Sequence, residues 1–208
     1  MKKILSTFLI ISGLMILLFI FGPVLTEELQ YRFDRAGGFR YSLEADPDFP
    51  QPQIRQLVPQ DKGFGIVIPK INVNASIFPD VDPNNPKEFL PILRKGVAHA
   101  KGSAFPDEEG NVFLFAHSSD SFYNVGRYNA IFYLIGKLEK GDEVDVFYRN
   151  KRYEYEVIAK GVVEPLGIKP YLDKTISKDD ENTITLQTCY PPGTTLKRLI
   201  VLAKLTEK

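Results

Sequence analysis

The chain predicts one mainly β domain, a closed barrel or a sandwich built from seven or eight short strands with few helices, behind a single N-terminal transmembrane helix. Three features carry this reading. An uncharged apolar run opens the chain, a proline-rich spacer follows it, and the remainder is a succession of short alternating segments punctuated by Gly, Pro and Asn.

The apolar run comes first. Residues 4–25 are 22 positions without a charge. At about 1.5 Å per helical residue they reach roughly 33 Å, enough to cross a hydrocarbon layer of about 30 Å. Lys2 and Lys3 precede the run while Glu27 and Glu28 follow it. The basic excess therefore holds residues 1–3 in the cytoplasm and places the rest outside. The run exceeds a signal-peptide h-region and no A-x-A site follows, so it is expected to remain as a single-pass anchor. Residues 26–60 read as an extracytoplasmic stem. The helix extends through Leu29 and Tyr31 until Gly37-Gly38 stops it, and three prolines within 47–52 then make a semi-extended spacer. The globular domain is expected over 61–208.

Within it, 64–69 and 71–78 read as strands broken at Pro69-Lys70, followed by a turn-rich stretch over 79–86. Residues 87–93 form a short helix with Pro86 in its first turn and Pro91 keeping it short. A brief strand over 97–100 leads through a loop to 111–117, an almost unbroken apolar run of the kind buried on both faces, ending at His117. Residues 130–135 are a short apolar segment, helix or strand. Then 143–148 and 152–159 alternate about a turn at 149–151, a hairpin that Val162 and Val163 prolong. Residues 182–188 are the penultimate strand, Pro191-Pro192-Gly193 turns the chain, and 198–205 are the last strand.

Charge excludes some partners. With 26 basic and 26 acidic residues the net charge is zero, which gives no electrostatic footprint for nucleic acid. Two histidines and one cysteine match no zinc spacing, and no glycine-rich phosphate loop is present. The run Asp107, Glu108, Glu109 reads as a solvated loop, since three consecutive acids cannot all face one ion. Neither metal nor cofactor is expected.

Cys189 is the single cysteine of an exported domain, so it is either a small buried hydrophobe or a thiol kept for its chemistry. A working thiolate needs a cationic or basic neighbour. If the last two strands pair antiparallel, Cys189 and Arg198 face each other at the mouth of their connection, where a guanidinium offers fixed donors to an oxyanion. His117, at the end of a buried strand, or His99, among small residues, could complete a cysteine, histidine and arginine set.

The stretch Thr185-Leu186-Gln187-Thr188-Cys189, with Arg198 beyond it, resembles the TLxTC...R signature of sortases, the membrane-anchored cysteine transpeptidases of bacterial surfaces. The segments 66–71, 93–110 and 140–142 with 153–157 resemble that family's opening strand pair, its GN-containing segment before the histidine strand, and its GD hairpin. Where the family usually has glycine before the histidine, Ala116 stands here.

The resemblance implies a closed eight-stranded β-barrel over 61–208. It implies that Cys189 attacks the carbonyl after the threonine of an LPxTG-like sorting signal, that His117 protonates the leaving amine, and that Arg198 binds substrate and oxyanion. Thr188, His99 and Ala116 are carried over as residues near the substrate pocket. The implied partners are surface proteins bearing the signal, an amine acceptor on a cell-wall precursor or another surface protein, and the membrane. A surface cysteine peptidase with water as acceptor, and a non-catalytic binding barrel, are the other readings.

Overall fold

A computed structural model describes residues 2–43, 54–118, 130–165 and 182–207. Eight strands close a barrel, so neither a sandwich nor an open edge is formed. In chain order the elements are α1 (Lys2–Ala36), β1 (Arg40–Ser42), β2 (Ile54–Gln56), β3 (Phe64–Ile68), a 3₁₀ turn (Pro69–Ile71), β4 (Val73–Val81), α2 (Pro86–Leu93), β5 (Val97–Ala100), β6 (Asn111–Phe115), a 3₁₀ helix (Tyr133–Lys137), β7 (Glu143–Tyr148), β8 (Lys151–Val163), β9 (Thr183–Tyr190) and β10 (Lys197–Glu207). The barrel order is β10-β8-β7-β3-β4-β5-β6-β9. Two pairs, β4 with β5 and β6 with β9, are parallel, and the others are antiparallel.

The strand period of two sorts side chains between the barrel's inside and outside. On β6, Val112 and Leu114 join the interior with Ile184 and Leu186 of β9 and Val201 of β10. Phe113 and Phe115 point outward into a second apolar cluster with Leu93 of α2. That second layer is why β6 reads as apolar on both faces. The 149–150 turn is a two-residue hairpin between Tyr148 and Lys151, with Arg149 and Asn150 at φ 51 and 65. Positive φ at both positions gives a turn whose twist matches the flanking strands.

Four details differ from the sequence expectation. β4 continues through Pro79 to Val81, because a register shift between Phe78 and Val81 bulges the strand where proline cannot donate to the ladder. β6 stops at Phe115, two residues before His117. The apolar segment after 130 resolves as a 3₁₀ helix. Within the stem, β1 and β2 pair as a parallel two-stranded sheet, three residues each and too short to show a period.

α1 ends as its glycines predict. Gly38 takes φ 71, Phe39 N–H donates to the Asp34 carbonyl and Gly38 N–H to that of Arg35, which together close the last helical turn. Among the described residues no helix is long and apolar enough to cross a membrane. Half of the predicted span, residues 4–6 and 17–24, has side chains outside that description.

Candidate functional site

Cys189 and Arg198 are register partners across the β9–β10 ladder. Their neighbours Thr188 and Leu199 are buried toward the interior, so both face the outside of the wall, and both are half-buried. On the other side of β9, the parallel register with β6 runs from Asn111↔Thr183 to Phe115↔Gln187. Ala116 N–H carries it one residue further, donating to the Gln187 carbonyl at 3.2 Å. β6 itself ends at Phe115, and the half-buried His117 follows two residues on. One cysteine at a strand end thus faces an arginine on β10, and the β6–β9 pairing on its other side leads toward a histidine.

Burial pushes the Cys189 thiol up from its ordinary value, and the charge of Arg198 pulls it down by less. Burial thus outweighs the arginine's charge in this environment, which favours the thiol over the thiolate. Arg198 is anchored by its loop: Nη1 donates to the carbonyls of Thr195 at 3.1 Å and Lys197 at 3.0 Å. The loop itself turns at Gly193, φ 82, with Thr194 N–H donating to the Pro191 carbonyl.

Thr188 and Ala116 lie in the layer beneath. Both are buried, and the Thr188 hydroxyl donates to the Ala116 carbonyl at 2.9 Å. This bond ties the peptide leading into His117 to the strand that carries Cys189, and the Thr188 side chain is turned to the interior rather than to the outer surface. The next carbonyl, that of His117, accepts from Phe132 N–H at 3.1 Å.

His99 lies elsewhere. The sequence puts it near the substrate pocket, but its side chain is sealed inside the barrel with no exposure. Asp80 N–H donates to its Nδ1 at 3.3 Å and its Nε2 donates to the Ala104 carbonyl at 3.0 Å, with Ser103 Oγ at 2.8 Å. Phe105 stacks on the ring with centroids 4.5 Å apart. Burial pushes its pKa below the ordinary histidine value, which fits a neutral structural imidazole. The odd positions of β5 face the interior, and a reactant on the outer face does not reach it.

Of the acidic trio, Asp107 pairs with Arg149 at 2.8 Å and Glu108 accepts from Phe105 N–H. Asp120, a possible orienting group for His117, lies outside the described residues, as does 166–181 of the irregular stretch before β9. Among the described residues no group of three ligating side chains could hold a metal ion. Gln187 escaped notice in the sequence. It precedes Cys189 by two positions on the same face, and its Oε1 is buried without a hydrogen-bond partner.

The comparisons with known proteins identify the family and agree with the fold. A profile of the sortase domain matches residues 66–206. The chain is 31% identical over 149 residues to sortase D of Bacillus subtilis, across 66% of this chain and 60% of that protein, so it spans about 60% of that relative's length. Among solved structures, a sortase D transpeptidase of Clostridium perfringens superposes with a TM-score of 0.55 at 27% identity, covering 73% of this chain and 83% of that one. Sortase C of Clostridium perfringens superposes at 0.53 with 26% identity, covering 90% and 89%.

Proposed function

The chain belongs to the sortase family, and on that premise we propose that it is a cysteine transpeptidase acting on proteins that carry an LPxTG-like sorting signal. What supports this reading is the facing of Cys189 and Arg198 in the β9–β10 register, together with a parallel β6–β9 pairing whose β6 strand leads into His117.

The proton accounting follows from the site. The Cys189 thiol is held up by burial, so His117 takes its proton as the sulfur attacks the carbonyl carbon after the signal's threonine. A C–S bond forms and the carbonyl oxygen becomes an oxyanion, toward which the Arg198 guanidinium supplies charge and donors. The C–N bond then breaks, and the leaving amine collects the proton from His117. An incoming amine gives its proton to His117, attacks the thioester and releases Cys189. The acceptor amine belongs to a cell-wall precursor or another surface protein.

The same proposal places residues 1–3 in the cytoplasm, 4–25 in the membrane and the barrel outside. Seven apolar side chains between Phe8 and Ile16 are 56–67% exposed, and a contiguous apolar surface of that kind fits lipid rather than water.

Incubating the full chain with a sorting-signal peptide library and mapping the adduct by mass spectrometry tests the reading. A thioester on Cys189 that disappears in Cys189→Ala, and a product joined to added amine, are expected. Turnover that survives Cys189→Ala overturns it, and hydrolysis alone in the presence of amine makes the protein a peptidase.

A further inference from the structure

The proposed catalytic histidine is held from two sides, and the second side leads to the helix that leaves the membrane. The Ala116 carbonyl is fixed to β9 by Thr188. The His117 carbonyl accepts from Phe132 N–H at 3.1 Å, and Phe132 is fully buried at the entrance to the 3₁₀ helix. The Phe132 bond ties the backbone at His117 to the entrance of the 3₁₀ helix, so a shift of that helix reaches the residue that carries the imidazole.

The 3₁₀ helix is itself clamped. Lys160 Nζ donates to the carbonyls of Gly136 at 2.6 Å and Leu138 at 2.7 Å. From the other side comes α1. Glu28 Oε1 accepts from Lys137 Nζ at 3.0 Å, Lys137 lies 5.6 Å from the centre of the Tyr31 ring, and Tyr31 packs against the barrel's interior cluster. Glu28 also binds Arg32 at 2.8 Å, and Arg35 donates to the Tyr31 hydroxyl at 3.1 Å. Glu28 and Tyr31, three residues apart on one helix face, therefore form the contact between the exit of the membrane run and the support of His117.

We propose that the juxtamembrane turns of α1, through Glu28 and Tyr31, are a positioning element for His117, so that the reaction runs at full rate only with this helix seated on the 3₁₀ helix. The inference rests on the transpeptidase reading above. Neither Glu28 nor Tyr31 touches a reactant. Both act through Lys137 and Phe132, and their effect falls on the proton-transfer steps rather than on peptide binding.

The test uses the full chain in vesicles or micelles, with Glu28→Lys, Lys137→Glu and the double exchange. Each is measured for kcat and KM on a sorting-signal peptide with added amine, for alkylation of Cys189, and for Tm. Each single reversal is expected to lower kcat about fivefold to tenfold, the range of a modest coupling between sites. KM and Cys189 alkylation should stay within about twofold, and the double exchange, which restores the pair with opposite sense but leaves residue 28 positive beside Arg32, should recover part of kcat. Should a reversal fail to fold, Glu28→Gln and Tyr31→Ala are read instead. Loss of the pair's charge and loss of the ring are each expected to lower kcat. Wild-type kcat in the single variants, or no recovery in the double, overturns the inference. Absence of any acyl adduct on wild-type Cys189 overturns the transpeptidase reading instead, so the two failures are distinct.

Discussion

Arg198 stands opposite Cys189 in the β9–β10 register and is held there by two carbonyls of its own loop. A guanidinium fixed in this way is not replaced by an ammonium on a flexible stem, because the fork of donors is lost with the shape. Arg198→Lys and Arg198→Ala are each expected to lower kcat by about 10²–10³-fold, the usual loss of an oxyanion donor. Steady-state kinetics with circular dichroism check this. A near-wild-type rate in Arg198→Lys would remove the oxyanion role.

The same pair sets the reactivity of the thiol. Burial raises the Cys189 pKa and the charge of Arg198 lowers it by less, so alkylation of the folded protein should rise with pH above the range of a free cysteine. Arg198→Ala takes away the lowering contribution, and its alkylation profile should move to still higher pH. A profile that moves down, or not at all, contradicts this account of the site's electrostatics.

Thr188→Val keeps shape and loses the hydroxyl that binds the Ala116 carbonyl at 2.9 Å. A buried carbonyl left unpaired costs about 1–3 kcal/mol, so Tm should fall. On the proposed role of His117, activity should fall further than stability explains, since the bond ties the peptide before that residue to β9. Thr188→Ser, which retains the donor, should recover most of the activity.

His99 predicts an acid sensitivity. Its folded pKa lies below the ordinary value of 6.5, so its contribution is complete above that value and is lost as pH falls through and below it. Chemical denaturation between about pH 5 and 8 should show this loss, and His99→Gln should flatten it while leaving the outer face able to react.

Asp145 predicts the opposite trend. It is fully buried on β7, receives Arg152 Nε at 2.7 Å, and has its second oxygen without a partner. Burial, aided by the nearby Glu143, pushes this carboxyl up to about 8 against the pull of Arg152. A raised folded pKa in an acid means that stability is present at low pH and falls as pH rises from about 4 toward 8. Asp145→Asn keeps an acceptor for Arg152, offers an amide toward Glu143, and should be the more stable protein at pH 8 by denaturant melts. Equal midpoints across the range would show that Arg152 keeps Asp145 ionised.

Much of this site was legible before any coordinates. The alternation over 182–188 and 198–205, with Pro191-Pro192-Gly193 between, reads as two strands joined by a turn, which when paired antiparallel put Cys189 and Arg198 at their mouth, because period and turn chemistry are local properties. His117 was legible as the end of a doubly buried strand, and the signature of the family singled it out from His99. The interior place of His99 was not legible, for a reason that is equally physical. Its neighbours Ala98 and Ala100 are as small as those of a pocket, and only the inward or outward sense of β5, which the other strands impose, seals it inside. Thr188 was assigned to the site's lining on sequence alone, and its interior orientation follows from the same alternation once Cys189 is known to face out.

The sequence by itself determined most of the barrel's strands, the stop of α1 at Gly37-Gly38, and the family, because each is written in contiguous residues and short-range sterics. Only the tertiary structure decided the parallel β6–β9 pairing that runs toward His117, the burial that raises the thiol, and the seating of Glu28 and Tyr31 on the 3₁₀ helix. Those depend on groups about 70 to 110 residues apart in the chain, whose meeting no local preference encodes and only closure of the barrel enforces.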